Sequence, residues 1–165
     1  MSNTLILIPS RLEATRLPRK PLLKINSLSI ISHVVKKALE SAVGEVYVCT
    51  GDKEIFEDVK NNGGNCVLTK KDHQTGTDRI YEGFQKLNLN VDYILNIQGD
   101  EPMIDIQDIK KLSYVAQKNK SEIATLACKF EDNKKLKDEN IVKVQTVDEL
   151  NTKNFSAAKK FIRKK

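Results

Sequence analysis

The run Thr4-Leu5-Ile6-Leu7-Ile8, closed by Pro9, decides how the rest of the chain is read. It is apolar without alternation and carries β-branched side chains. That composition predicts a strand buried on both faces, and such a strand belongs in a parallel sheet with helices on either side. The sequence that follows supplies those helices. Between 29 and 42, Ile30, Ile31, Val34, Val35, Ala38, Leu39 and Ala42 recur at helical spacing, with Ser29 placed to cap the first turn and Gly44 to end the helix. Val46-Tyr47-Val48-Cys49 predicts a second strand, 55–60 a short helix stopped by Asn61-Asn62-Gly63-Gly64, and Cys66-Val67-Leu68 a third strand. Ile80, Tyr81, Phe84 and Leu87 then share a helical face over 77–87, and Tyr93-Ile94-Leu95-Asn96-Ile97 predicts a strand. Ile106, Ile109, Leu112, Val115 and Ala116 line another helix, and 123–130 and 141–147 predict two further strands. The alternation points to an α/β fold, a doubly wound, mostly parallel sheet with helices on both faces. Ligands of such sheets bind beyond the carboxyl ends of the strands, near the reversal of strand order, so the loops after strands are where chemistry is to be sought.

Composition agrees with an ordered globular chain. Its 165 residues are 39% hydrophobic and 30% charged, with only seven glycines and four prolines. No repeat or low-complexity linker breaks them, so a single domain over 1–165 is expected. No stretch approaches the ~20 apolar residues of a membrane span. Met1-Ser2-Asn3 leads into the first strand without a basic segment or cleavage site, so the expectation is a cytoplasmic protein with no membrane partner. Cys49, Cys66 and Cys128 are far apart, which gives neither a disulfide framework nor a paired metal-ligand spacing; all three are expected to be buried thiols.

The net charge of +6 invites a nucleic-acid reading, but its distribution argues against one. Five positive charges crowd the last seven residues. Arg11, Arg16, Arg19, Lys20 and Lys24 face only Glu13 in the loop after the first strand, and the remainder of the chain is net negative. With a single Phe in the basic tail, neither patch has the aromatic and basic mixture of a surface that stacks bases, so no nucleic-acid partner is expected.

Three loops carry candidate chemistry. The first, Ile8-Pro9-Ser10-Arg11-Leu12-Glu13-Ala14-Thr15-Arg16-Leu17-Pro18-Arg19-Lys20-Pro21-Leu22, brings cations to a strand's carboxyl end, where amides and guanidinium forks suit a polyphosphate. Prolines stiffen it, and it is no Walker loop, lacking the glycines and the Gly-Lys-Ser/Thr end. A solvated charge run is the plain alternative. The second, Asp72-His73-Gln74-Thr75-Gly76-Thr77-Asp78-Arg79, precedes a helix; its amides suit a base edge or an anion, or else Thr75 or Thr77 is an ordinary cap. His73 has no histidine near it but His33, on the polar side of a helix, so a histidine metal site is not expected. In the third, Gln98-Gly99-Asp100-Glu101-Pro102 follows a buried strand directly. Carboxylates there call for a cation, and Mg²⁺ takes one or two of them together with waters and phosphate oxygens; the alternative is that Gly99-Asp100 is a plain turn.

Taken together, Ile-Pro-Ser-Arg with Thr-Arg-Leu-Pro-x-Lys-Pro-Leu, then Asp-His-Gln-Thr-Gly-Thr-Asp-Arg, then Asn-x-Gln-Gly-Asp-Glu-Pro closely resemble the 3-deoxy-manno-octulosonate cytidylyltransferase (CMP-Kdo synthetase) family, from about residue 4 to Val142-Lys143-Val144. The resemblance implies a nucleotide-diphospho-sugar transferase-like Rossmann fold. It also implies transfer of CMP from CTP to the acidic sugar Kdo with release of pyrophosphate, for lipopolysaccharide biosynthesis. It makes Pro9, Ser10 and Arg11 part of the nucleotide cradle and assigns Arg16 and Lys20 to the triphosphate. Gln74, Thr77, Asp78 and Arg79 fall to the cytidine pocket, Gln98 to the sugar, and Asp100 to Mg²⁺, with Arg16, Lys20 and Asp100 as the catalytic set. Arg19 stands where the family has Gly, and Thr50-Gly51-Asp52 replaces its Thr-Asp. Family members are homodimers and continue past this point with further sugar contacts, a second magnesium-binding Asp and the dimer surface. The resemblance therefore implies a chain incomplete at its carboxyl end. Activation of another acidic sugar such as an acylneuraminate, and nucleotide binding without turnover, are the alternatives.

Overall fold

The computed structural model describes residues 3–13, 17–130, 136–151 and 155–163. In chain order the elements are β1 (Thr4–Ser10), a 3-10 turn (Lys20–Leu22), β2 (Lys24–Ile25), β3 (Leu28–Ser29), α1 (Ile30–Glu40), β4 (Glu45–Thr50), α2 (Lys53–Asn61) and β5 (Asn65–Leu68). There follow α3 (Gly76–Leu87), β6 (Tyr93–Asn96), α4 (Ile106–Lys118), β7 (Lys143–Thr146) and β8 (Ala158–Ile162). They group into two compact units, Met1–Ala124 and Thr125–Lys165.

The first unit holds a four-stranded, wholly parallel sheet in the order β5-β4-β1-β6. β1 is buried along its whole length, as its unbroken apolar run predicts. Ile6 and Ile8 face a layer made by Ile31, Val34 and Val35 of α1, Ile55 and Val59 of α2 and Ile109 of α4, whereas Leu5 and Leu7 face Ile80 and Phe84 of α3. Burying each of these side chains stabilises the fold by about 1.5–3 kcal/mol, so helices on both faces follow from the composition of one strand. The chain steps outward from β1 to β4 and β5, then returns to place β6 on the other side of β1. Strand order thus reverses between β1 and β6, and the crevice beyond their carboxyl ends is where such a sheet receives ligands.

The predicted helices form within two or three residues of their expected limits. Ser29 Oγ accepts from the Ser32 amide at 3.2 Å as the cap of α1, and Thr75 Oγ1 accepts from the Asp78 amide at 3.1 Å as the cap of α3. Two expectations are corrected. No strand forms over 123–130, because its alternating apolar residues find no ladder partner and Ile123 is 92% exposed. The thiols are not uniformly buried either: Cys49 is, Cys66 is half-buried and Cys128 is exposed on that same unpaired segment. Burial pushes the Cys49 and Cys66 thiols up to about 12.

In the second unit β7 pairs antiparallel with β8, so part of the basic carboxyl segment is a strand. Lys143 in β7 is buried, its ammonium donating to the carbonyls of Asp138 and Arg163, both at 2.5 Å. No described helix is long and apolar enough to cross a membrane.

Candidate nucleotide site

The three loops singled out by sequence converge on Pro9, the last-but-one residue of β1. A Cβ placed on Gly99 would lie 2.8 Å from the Pro9 carbonyl oxygen, and one on Gly76 would lie 3.1 Å from the Pro9 ring. Glycine at both positions is what lets the loop after β6 and the start of α3 close on the end of β1. Together they enclose a cavity of about 560 Å³ at the switch point between β1 and β6.

Every described residue lining this cavity falls within the three quoted stretches. Of the predicted residues, Pro9, Ser10, Arg11, Lys20, Arg79, Gln98 and Asp100 are among them, joined by neighbours such as His73 and Thr75. Gln74, Thr77 and Asp78 are exposed and are not among the described lining residues. Asp78 instead accepts from the Thr75 hydroxyl at 2.6 Å, completing the helix cap. Arg16 lies outside the described residues.

Basic and acidic loops meet directly, since Lys20 Nζ donates to Asp100 Oδ2 at 2.7 Å. Both side chains are partly open to solvent and can exchange one another for ligand groups. Ser10 is only 6% exposed, and its Oγ has no hydrogen-bond partner. A buried, unsatisfied hydroxyl in the wall of a cavity is what a bound polar group would satisfy. No group of three or more metal-ligating side chains occurs among the described residues. A lone carboxylate that lines the cavity and is open to solvent, as Asp100 is, can hold a cation only if phosphate and water supply the remaining ligands.

The segment 69–75, which contributes His73 and Thr75 to the lining, is fixed by α3. Arg79 is buried and donates to Thr69 Oγ1 at 2.8 Å and to the carbonyls of Lys70 at 2.9 Å and Lys71 at 3.0 Å. Burial pulls its guanidinium below the ordinary value, while the nearby Asp52 carboxylate works in the opposite sense. One turn on, Glu82 accepts from His73 Nε2, from the Lys70 amide at 3.1 Å and from Lys86 Nζ at 2.8 Å. Burial disfavours the Glu82 charge, but the hydrogen bonds from Lys86, His73 and the Lys70 amide outweigh it and hold the carboxyl at about 2. Neither the role of Glu82 nor the orientation of His73 was legible from sequence, because the interaction spans nine residues and depends on how the loop folds back along the helix.

The basic loop is braced in the same way. Arg19 adopts a left-handed conformation with φ 57°, and its guanidinium pairs with Glu54 at the start of α2, so it points away from the cavity. This resolves the question raised by an arginine at a glycine position: the backbone keeps the conformation glycine favours, and the side chain is drawn off to a carboxylate.

A parallel α/β sheet with a basic loop, a helix amino end and a carboxylate gathered at its switch point defines the nucleotide-binding class of such folds. The sequence model describing cytidylyltransferases matches residues 5–165, and the chain belongs to that family. It is 41% identical over 143 residues to the 3-deoxy-manno-octulosonate cytidylyltransferase of Rhodopseudomonas palustris (strain BisB5), covering 86% of this chain and 58% of that one. It is also 38% identical over 144 residues to the enzyme of that name from Chelativorans sp. (strain BNC1), covering 86% and 57%. Among solved structures, a CMP:2-keto-3-deoxy-manno-octonic acid synthetase complexed with CTP superposes with a TM-score of 0.82 at 33% identity. That match covers 99% of this chain and 65% of the other. The chain therefore spans less than two thirds of the length of the relatives it matches.

Proposed function

We propose that the chain carries the nucleotide-binding part of a CTP:sugar-acid cytidylyltransferase acting on 3-deoxy-manno-octulosonate in the cytoplasm, with both compact units belonging to one nucleotidyltransferase domain. The observation that carries the reading is the cavity in which Lys20 of the basic loop meets Asp100 of the acidic loop beside the unsatisfied Ser10 hydroxyl. The family match running across both units supports the rest.

In this reading Arg11 and Lys20 hold the triphosphate, joined by Arg16 on the strength of the sequence resemblance. Ser10 and Pro9 shape the cradle, Gln98 reaches the sugar, and Gln74 with the 77–79 segment bounds the cytidine side. The anomeric hydroxyl of the sugar attacks the α-phosphorus in line, the bond to the β-phosphate oxygen breaks, and pyrophosphate leaves. Lys20 and Arg11 offset the charge that gathers on the phosphates, and no covalent enzyme intermediate forms. Asp100 would hold Mg²⁺, which when bound supplies further neutralisation of phosphate charge.

Pyrophosphate release from CTP in the presence of Kdo, Mg²⁺ and the purified chain tests this directly, with an acylneuraminate as the comparison sugar. Release that depends on Kdo and disappears in Asp100→Ala is expected. Mg²⁺-dependent CTP binding without release would instead support a nucleotide-binding domain lacking turnover.

A further inference from the structure

Asp52 occupies the N-cap position of α2, where an aspartate ordinarily accepts from an amide of its own helix. Here its side chain makes no capping bond. Asp52 Oδ2 accepts instead from the Leu12 amide at 2.8 Å, forty residues away in the basic loop. The Asp52 amide donates to Thr50 Oγ1 at 3.1 Å, and Thr50 is fully buried at the end of β4, so the carboxylate is anchored to the sheet. Leu12 is gripped on its other side as well, its carbonyl accepting from the Arg19 amide at 3.1 Å. Arg19 in turn pairs with Glu54, in the first turn of α2. Both stems of the loop spanning 12–19 therefore hang on the start of one helix, and the residue after the second stem is Lys20.

We propose that Asp52 is a positioning residue for the phosphate-binding loop, acting through its hydrogen bond to the Leu12 amide, with the Glu54–Arg19 pair as a second, weaker tie. Asp52 does not line the cavity, so it works at one remove from ligand. With Leu12 held by Asp52 and Arg19, the base of the loop is fixed before a polyanion arrives, which lowers the ordering cost of binding. The Glu54–Arg19 pair is exposed and screened, hence the lesser share given to it. In the sequence the bond is invisible, because its two partners lie forty residues apart.

The inference rests on the nucleotide reading of the site, and the test separates the two. CTP affinity with Mg²⁺ is measured by calorimetry for the unmutated chain, Asp52→Ala, Asp52→Asn and Glu54→Gln, together with denaturant unfolding of each. Amide exchange of Leu12 is followed in the unmutated chain. Asp52→Ala is expected to weaken CTP about tenfold, whereas Asp52→Asn, whose side-chain oxygen still accepts, and Glu54→Gln stay within about threefold. Leu12 is expected to exchange at least about tenfold more slowly than a free amide. A folded Asp52→Ala that binds like the unmutated chain overturns the proposal, as do equal losses in the Ala and Asn variants. Should Asp52→Ala not fold, the Leu12 amide decides, and free exchange there overturns the tether. If the unmutated chain binds no CTP, the nucleotide reading fails while the exchange result still judges the tether.

Discussion

Replacing Gly99 by alanine tests whether the meeting of three loops on Pro9 is what builds the cleft. The new Cβ would stand 2.8 Å from the Pro9 carbonyl oxygen and 3.1 Å from Ile31 Cδ1. A comfortable carbon-to-oxygen contact is about 3.3 Å or more, so something has to move by roughly half an ångström. Pro9 cannot yield readily, because it lies within the β1 ladder opposite Cys49 of β4. The displacement falls on the 97–100 loop, and with it on Asp100. Overpacking of this kind costs about 1–3 kcal/mol, offset by about 0.4–1 kcal/mol from the stiffer unfolded chain, for a net loss near 1–2 kcal/mol. Gly63→Ala is the matched control. Its φ of +79° strains any side chain, by about 1–2 kcal/mol, but nothing lies within 4 Å of the new Cβ and the site is remote from the cleft. Urea unfolding should therefore show comparable losses in the two variants. Titration with CTP and Mg²⁺ should show a loss, on the order of tenfold for a half-ångström displacement, in Gly99→Ala alone. Similar affinities in both variants, or full stability in Gly99→Ala, would refute the argument that contact with Pro9 sets the position of Asp100.

Three further outcomes are expected. The Glu82 carboxyl is held at about 2, below its ordinary 4.5, so its contribution to stability is complete above the ordinary value and is lost as pH falls through about 2. Glu82→Gln should accordingly flatten the stability profile between pH 5 and pH 2, and an unchanged slope would remove Glu82 as the staple of residues 70–73. Gly83→Ala gains about 1 kcal/mol of helix propensity but drives a Cβ into Cys49 Sγ, so a net loss of about 1–2 kcal/mol is expected on urea unfolding. Adding Cys49→Ala should restore most of that loss, whereas simple additivity would show that the contact is not the cause. Finally, Cys128 should react promptly with a thiol reagent at pH 8 while Cys49 and Cys66 stay silent until denaturation, and labelling of all three in the native chain would contradict their burial.

The central sheet was legible because each of its elements carries its own signal. The period-free run of β1 and the 3.6-residue spacing of α1 both report burial, and burial is what the fold is built from. The cleft was legible for a related reason: its described lining residues come from three contiguous loops, so motif and place coincide. What escaped is of another kind. The β2–β3 hairpin has two residues per strand, too short for any alternation to show, although Asn26 and Ser27 between them both take the positive φ of a tight turn. The segment 123–130 has the composition of a strand, but a strand also needs a neighbour, and pairing is not a local property. β8 was hidden beneath its charges. Asp52, Glu54 and Glu82 were missed because each takes a partner brought in from elsewhere, Leu12, Arg19 and His73 in turn, and only the tertiary structure fixes such pairings.

The 2.7 Å contact between Lys20 and Asp100 has a consequence for selectivity. The Lys20 ammonium and the Asp100 carboxylate oppose each other, so neither is offered unpaired to the small ions that crowd any cell. A lone anion reaching Lys20 strands Asp100, and a lone cation reaching Asp100 strands Lys20. Only a visitor bearing both signs lets each side chain change partners with none left over. The Lys20–Asp100 pair is a closed handshake, and it opens most readily to something that arrives with two hands.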